Sequence, residues 1–209
     1  MKYDIPDEYK PFIASVKRQC KTYGIELMLA PSKSVVLTDD YLQDCSGYFC
    51  DTDKALVVAC GKPFKEWFEI LIHEFCHLEQ WKTDPRWSKW TDACGKTWDW
   101  LAGDIMMNKT QLRNILDDMI ELEKDCEMRA VEKIRKWDLP VNISQYIKKA
   151  NVYLYSYHML PIIKKFPTGV HSDNVLIDMA PKSFKKNYRK VPDDMANYLS
   201  LIHISEPTR

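Results

Sequence analysis

The chain opens with apolar residues at three- and four-residue steps. Tyr9, Phe12, Ile13, Val16 and Cys20 line one side of "DEYKPFIASVKRQCKTYG" and Gly24 closes the run, which predicts an amphipathic helix after Pro6. The pattern then shortens. "IELMLAP", "SVVLT", "GYFCDTD" and "KALVVAC" are brief β-prone segments, the last a continuous apolar run closed by Gly61, and together they predict a small sheet of three or four strands. From Pro63, "PFKEWFEILIHEFCHLEQWK" runs about twenty residues with no breaker and predicts a helix.

At 100° per residue, Phe64, Trp67, Phe68, Leu71, Phe75 and Leu78 share one face of that helix, while His73 and His77 point the opposite way. Ile70 and Trp81 flank the histidines, so that front is also expected to be covered. A Trp-rich connector with helical fragments follows, from "TDPRWSKW" to "TWDWLAGD". "TQLRNILDDMIELEKDCEMRAVEKIRKW" then makes a long helix stopped by Pro140, and Asn142 to Leu160 reads as another. After Pro161 the chain is rich in proline and lysine with little periodicity and reads as irregular. The order of elements predicts an α+β protein: an N-terminal helix, a small sheet, the histidine helix, then a helical C-terminal lobe.

Composition fits one compact domain. Of 209 residues 45% are apolar and 12% aromatic, enough for one sizeable core over residues 1–198: 1–82 with the sheet and histidine helix, 83–160 as the helical lobe, and 161–198 as a tail. Thirty basic residues balance thirty acidic ones, so no long-range field draws the whole molecule to nucleic acid or anionic membrane. No signal-like pattern opens the chain and no stretch approaches the roughly eighteen uncharged apolar residues of a membrane span, which reads as soluble and cytoplasmic. Seven cysteines form an odd set that suits reduced thiols. Only Cys45 and Cys50 are near neighbours, at a gap wider than usual for a metal pair. The last eleven residues, "LSLIHISEPTR", resemble a translated sequencing-adaptor read-through. Leu199 to Arg209 are therefore set apart, and His203 receives no role.

The chemistry concentrates in "HEFCH". Histidines four apart on a helix lie one turn apart on the same side, so both imidazoles can converge on one tetrahedral Zn²⁺ ion. In this pattern Glu74 is no ligand but the base that takes a proton from the attacking water and returns it to a leaving amine. A third ligand is expected from the long helix. Its buried stripe runs through Leu112, Ile115, Leu116, Met119, Cys126, Ala130, Ile134 and Trp137, with Glu123 in mid-stripe and Glu127 near its edge. Carboxylates on an apolar face are costly unless paired or metal-bound. Glu123 is the candidate ligand, and Glu127 the alternate ligand or an acceptor for a histidine N–H. Pairing of Glu123 with Arg113 or Arg129 is the competing account. Two histidines that merely pack remain the plainer alternative for the motif itself.

With these residues in view, the sequence resembles the zincin metallopeptidases, in the gluzincin pattern where "HEFCH" precedes a glutamate-bearing helix. It is similar to the small phage-borne and immunity-repressor-cleaving metallopeptidases. "EKDCEMRA" loosely resembles their Glu-x-Glu-Ala-Asn-x-Phe-Ala element, with Glu123 first, Asp125 at the second acidic position, and Glu127 and Arg129 departing from Asn and Phe. The resemblance covers roughly residues 7 to 137 and implies a zinc-dependent hydrolase acting on a protein or peptide, in the host cytoplasm if phage-encoded. It also implies an open strand edge for substrate, a slot that "KALVVAC" occupies. A catalytically silent zincin-fold interaction protein of a phage or mobile element is the alternative.

Other features weigh less. Tyr153, Tyr155, Tyr157 and His158 of "YLYSYH" are core aromatics or a donor for an oxyanion. Trp81, Trp87, Trp90, Trp98, Trp100 and Trp137 are expected in the core of the second lobe. The run "KSFKKNYRK" suggests a solvated face, and the balanced net charge lends no support to a nucleic-acid partner.

Overall fold

The computed structural model describes residues 5–37, 44–167 and 169–204, with the side chains of 202–204 left aside. It is α+β. Where the sequence reads as one domain, the chain divides into two compact units: residues 1–85 with 132–140, and residues 86–131 with 141–209.

The first unit begins with α1 (Lys10–Tyr23), which buries Phe12, Ile13, Val16 and Cys20 as the spacing predicts. Gly24 ends it at φ 67°, a left-handed conformation that costs glycine little, and Ile25 N–H returns to Cys20 O at 2.8 Å. The strands are β1 (Glu26–Ala30), β2 (Val35–Val36), β3 (Asp44–Cys45), β4 (Gly47–Cys50) and β5 (Ala55–Ala59). One sheet runs β1-β5-β4 and a separate ribbon pairs β2 with β3. Thr38, the end of the predicted second strand, lies outside the described residues.

β5 is parallel to β1, from Glu26↔Ala55 to Ala30↔Ala59, and antiparallel to β4, from Gly47↔Val58 to Cys50↔Ala55. All five β5 residues are buried, as suits a central strand. This corrects the placement of "KALVVAC" at an open edge: β5 has a neighbour on each side, and β4 and β1 are the outer strands. Its unbroken apolar run reflects that position, since alternation would mark a strand with one wet face.

α2 (Phe64–Thr83) starts behind Pro63 and stops at the extended Asp84 before Pro85. It packs Trp67, Phe68, Leu71, Phe75 and Leu78 inward, each at or below 2% exposure and each stabilising by roughly 1.5–3 kcal/mol. Phe12 of α1 meets Phe68 and Phe75 edge-on at 5.7 and 6.0 Å.

The second unit is helical. α3 (Trp87–Ala102) is one continuous helix where the sequence suggested fragments, burying Trp90, Ala93, Thr97 and Trp100 on one face. α4 (Lys109–Lys136) belongs to this unit through Val131, and its last residues belong to the first. α5 (Ile143–Ser156) is capped by Asn142, whose side chain accepts from Gln145 N. α6 (Leu160–Ile163), α7 (Asn174–Met179) and α8 (Asp193–Ile204) follow.

The expected irregular tail is thus partly helical, and it supplies core. Leu176, Ile177, Tyr188, Met195 and Leu199 are buried with Leu116, Met119, Leu154 and Leu160. Leu199, at 1% exposure, is the first residue of the adaptor-like string; residues 205–209 lie outside the described ones. The tail is fixed by distant polar bonds. Asn151 Nδ2 donates to Pro181 O at 2.8 Å and Ser183 O at 3.2 Å, and Tyr188 hydroxyl donates to Asn151 Oδ1.

The tryptophans divide between units. Trp90 and Trp100 are buried in the second, while Trp81 and Trp137 belong to the first, where Trp137 is 36% exposed against Phe12. Among the described residues no helix is long and apolar enough to cross a membrane.

Candidate metal centre

α2 sets the histidine geometry. His73 Nε2 and His77 Nε2 stand 3.1 Å apart, with ring planes nearly perpendicular at 87°. Two imidazole nitrogens each bound at 2.0–2.1 Å to a tetrahedral ion are roughly 3.3 Å apart. The pair is therefore spaced as one metal requires. His77 is buried at 7% exposure and His73 is half-buried.

The second nitrogen of His77 is also placed. Nδ1 lies 2.8 Å from Gln80 Oε1, and Gln80 is fully buried. An amide oxygen can only accept, so this contact suits the tautomer with its proton on Nδ1, the one that leaves Nε2 for a metal. The sequence reading passed over Gln80. Its signal was present, since position i+3 from His77 on a helix lies on the same face.

Glu74 is buried at 7% exposure beside β4. A Cβ on Gly47 would stand 3.3 Å from Glu74 Cγ and 2.8 Å from both Ile70 Cγ2 and Val57 O, so glycine is what lets β4 approach α2 here. Cys45 is held close to the same carboxylate: burial first, then the Glu74 charge, push its thiol up to about 11. Cys50, its near neighbour in sequence, lies 3.0 Å from Thr52 Oγ1. All seven cysteines are unbridged.

Two features on α4 complete the first unit. Lys133 Nζ pairs with Glu79 and lies 5.2 Å from the centre of the Phe75 ring. Trp137 packs on Phe12 at 5.7 Å.

The predicted carboxylates lie on the part of α4 assigned to the second unit. Glu123 and Glu127 are buried at 8% and 6% exposure, and Cys126 between them is fully buried. At i, i+3 and i+4 these three donors share one side of the helix. Around Glu123, burial raises the Tyr157 hydroxyl well above its ordinary value, with the Glu123 charge adding to it, and burial followed by Glu123 pushes the Cys94 thiol up to about 12. Tyr157 and Tyr153 hydroxyls are 2.9 Å apart, which places this part of "YLYSYH" in a buried polar cluster of the second unit. Asp125 accepts from Arg129 Nε, one of the two arginines weighed against Glu123, at 2.6 Å and from Arg86 at 3.2 Å.

The basic run is largely exposed, as a solvated face would be. Arg189 pairs with Asp117 at 3.3 Å, Lys190 with Asp193 at 3.3 Å, and Tyr188 is buried.

No protein-family model, curated protein or solved structure matches this chain.

Proposed function

We propose that the protein is a zinc-dependent metallopeptidase in which His73 and His77 hold the ion and Glu74 is the general base. The observation that carries this reading is the 3.1 Å separation of the two Nε2 atoms, with one ring already fixed from behind by Gln80.

The third ligand is proposed from α4. Glu123 is the first candidate because a carboxylate buried on an apolar face calls for a cation. Glu127 is the alternate, and Cys126 between them on the same side of α4 is a further candidate donor, one that does not by itself select zinc over other borderline ions.

A divalent ion there supplies Lewis acidity, which acidifies water and polarises a peptide carbonyl. The remaining work falls to the chain. Glu74 accepts the proton of the attacking water and delivers it to the departing amine, and its burial keeps competing solvent away. β4, the outer strand against which Glu74 packs, takes over from β5 as the strand on which an extended peptide would pair.

Metal analysis tests the ligand set. Glu123→Gln, Cys126→Ser and Glu127→Gln are each compared with wild type after zinc loading. The true third ligand is the one whose loss lowers affinity at least about tenfold while secondary structure is kept. Retention of full affinity by all three variants would remove the α4 ligand from the proposal.

A further inference from the structure

Two cations converge on one ring at the far end of α2. Lys82 Nζ lies 3.8 Å and Lys54 Nζ 4.3 Å from the centre of the half-buried Trp81 ring, and Lys82 Nζ also lies 4.9 Å from the centre of the Tyr23 ring. The two ammoniums are therefore at most about 8 Å apart, close to a Debye length at physiological salt, and repel each other. Both side chains are exposed, and among the described residues neither forms an ion pair, although Asp51 and Asp53 share the turn with Lys54. A ring attracts an ammonium but carries no net charge, so the positive charge gathered here is left unbalanced. Its position relative to β4 is fixed. A Cβ on Gly47 would meet Ile70 and Glu74, and two residues on, the Phe49 ring stands 5.8 Å from that of Trp81, about two helical turns beyond Glu74. Residues two apart on a strand share a face, so Gly47 and Phe49 both turn toward α2.

We infer that Lys54 and Lys82, gathered on Trp81, bind a carboxylate side chain of an extended peptide paired with β4, and that the protein therefore selects acidic substrates. The substrate half rests on the metallopeptidase reading proposed above; the binding half does not. A peptide residue opposite Gly47 lies beside Glu74, and the next residue whose side chain faces the same way lies opposite Phe49, beside Trp81. The acid is thus expected two positions from the residue at the scissile bond. An aspartate or glutamate there lies between two cations that otherwise repel, whereas a lysine or arginine adds to the repulsion.

The test uses fluorescein-labelled octapeptides of valine, threonine and glutamine in which a single glutamate is stepped along the chain, a glutamate-free counterpart as control, and zinc-loaded full-length protein. In a Glu74→Gln background, which removes cleavage, fluorescence anisotropy should show the glutamate peptides binding about 5- to 10-fold more tightly than the control, a preference lost in Lys54→Gln/Lys82→Gln and kept in Lys54→Arg/Lys82→Arg. With Glu74 in place, the cut should move with the glutamate at a fixed two-residue offset, and Lys54→Gln/Lys82→Gln should raise KM with little change in kcat. Equal binding of glutamate and control peptides when both lysines are present, or a preference that survives Lys54→Gln/Lys82→Gln, overturns the subsite. A preference without any hydrolysis keeps the subsite and removes the peptidase reading, and hydrolysis blind to the glutamate or to its position does the reverse.

Discussion

In the first unit the buried polar groups of α2 are few and aimed: His73 and His77 converge through the same nitrogen, and Gln80 holds one of them from behind. In the second unit they are more numerous and serve the chain itself. Asn151 there binds Pro181 O and Ser183 O, Tyr188 binds Asn151, and Tyr153 meets Tyr157. Both units bury polar atoms at a cost that only good partners offset. The first invests that cost in a geometry fit for a cation, and the second in tying down a tail with little regular structure. Substitutions in the two should therefore fail differently.

The largest separation is expected at Glu74. Glu74→Gln keeps the shape of the side chain and should leave zinc content and thermal unfolding near wild type, while peptide hydrolysis falls about 10²- to 10⁴-fold. A variant that hydrolyses normally would remove the general base and return α2 to the packing role of its neighbours.

Asn151→Leu should do the reverse. It strips two carbonyls and the Tyr188 hydroxyl of their partner in a fully buried position, so the second unit should lose about 2–4 kcal/mol in urea unfolding. The zinc content after loading should be unmoved. A neutral result would mean that the tail is held by apolar burial alone.

Alkaline pH distinguishes the units more gently. Burial pushes Tyr188 from its ordinary 10.0 up to about 12, against a lowering bond from the Lys185 amide. Between those values the unfolded chain loses the tyrosine proton while the folded protein keeps it. The contribution is thus complete below pH 10, declines as pH rises, and is gone beyond about 12. Tyr188→Phe should flatten that decline in denaturant titrations; an unchanged slope would assign it to the other groups that burial raises, among them Cys94, Tyr157 and Cys45.

The smallest effect belongs to the surface. Lys89 and Asp118 pair at 2.6 Å with side-chain exposures of 59% and 25%, and Lys89→Ala should cost less than about 1 kcal/mol. A greater loss would show that helix surfaces share in holding the second unit.

The same contrast explains what could be read from the residues alone. α1, α2 and α4 announce themselves because each carries a long 3.6-residue period, and the histidine pair because its spacing is its geometry. β5 was legible as a strand but not as the central one, since pairing partners are set by chain segments far apart. α3 was obscured by Gly95 and by tryptophans on several sides, although Trp90, Ala93, Thr97 and Trp100 do mark one face. α7 and α8 were missed because they lie in proline- and lysine-rich sequence with little period, and the segment between them is held by Asn151, some thirty residues upstream, a partner no local pattern reveals. Gln80 was missed for another reason: a lone polar residue late in an apolar helix acquires meaning only when its partner is seen.

The central claim is that His73 and His77 together hold a metal ion, and the direct measurement is zinc stoichiometry of purified full-length protein after loading and desalting. Wild type should carry about one ion per chain, and His73→Ala, His77→Ala and the double variant should carry almost none while keeping the wild-type circular dichroism spectrum. Metal-free wild type after loading, or equal zinc in the double variant, would contradict the account and leave the two imidazoles as packing partners.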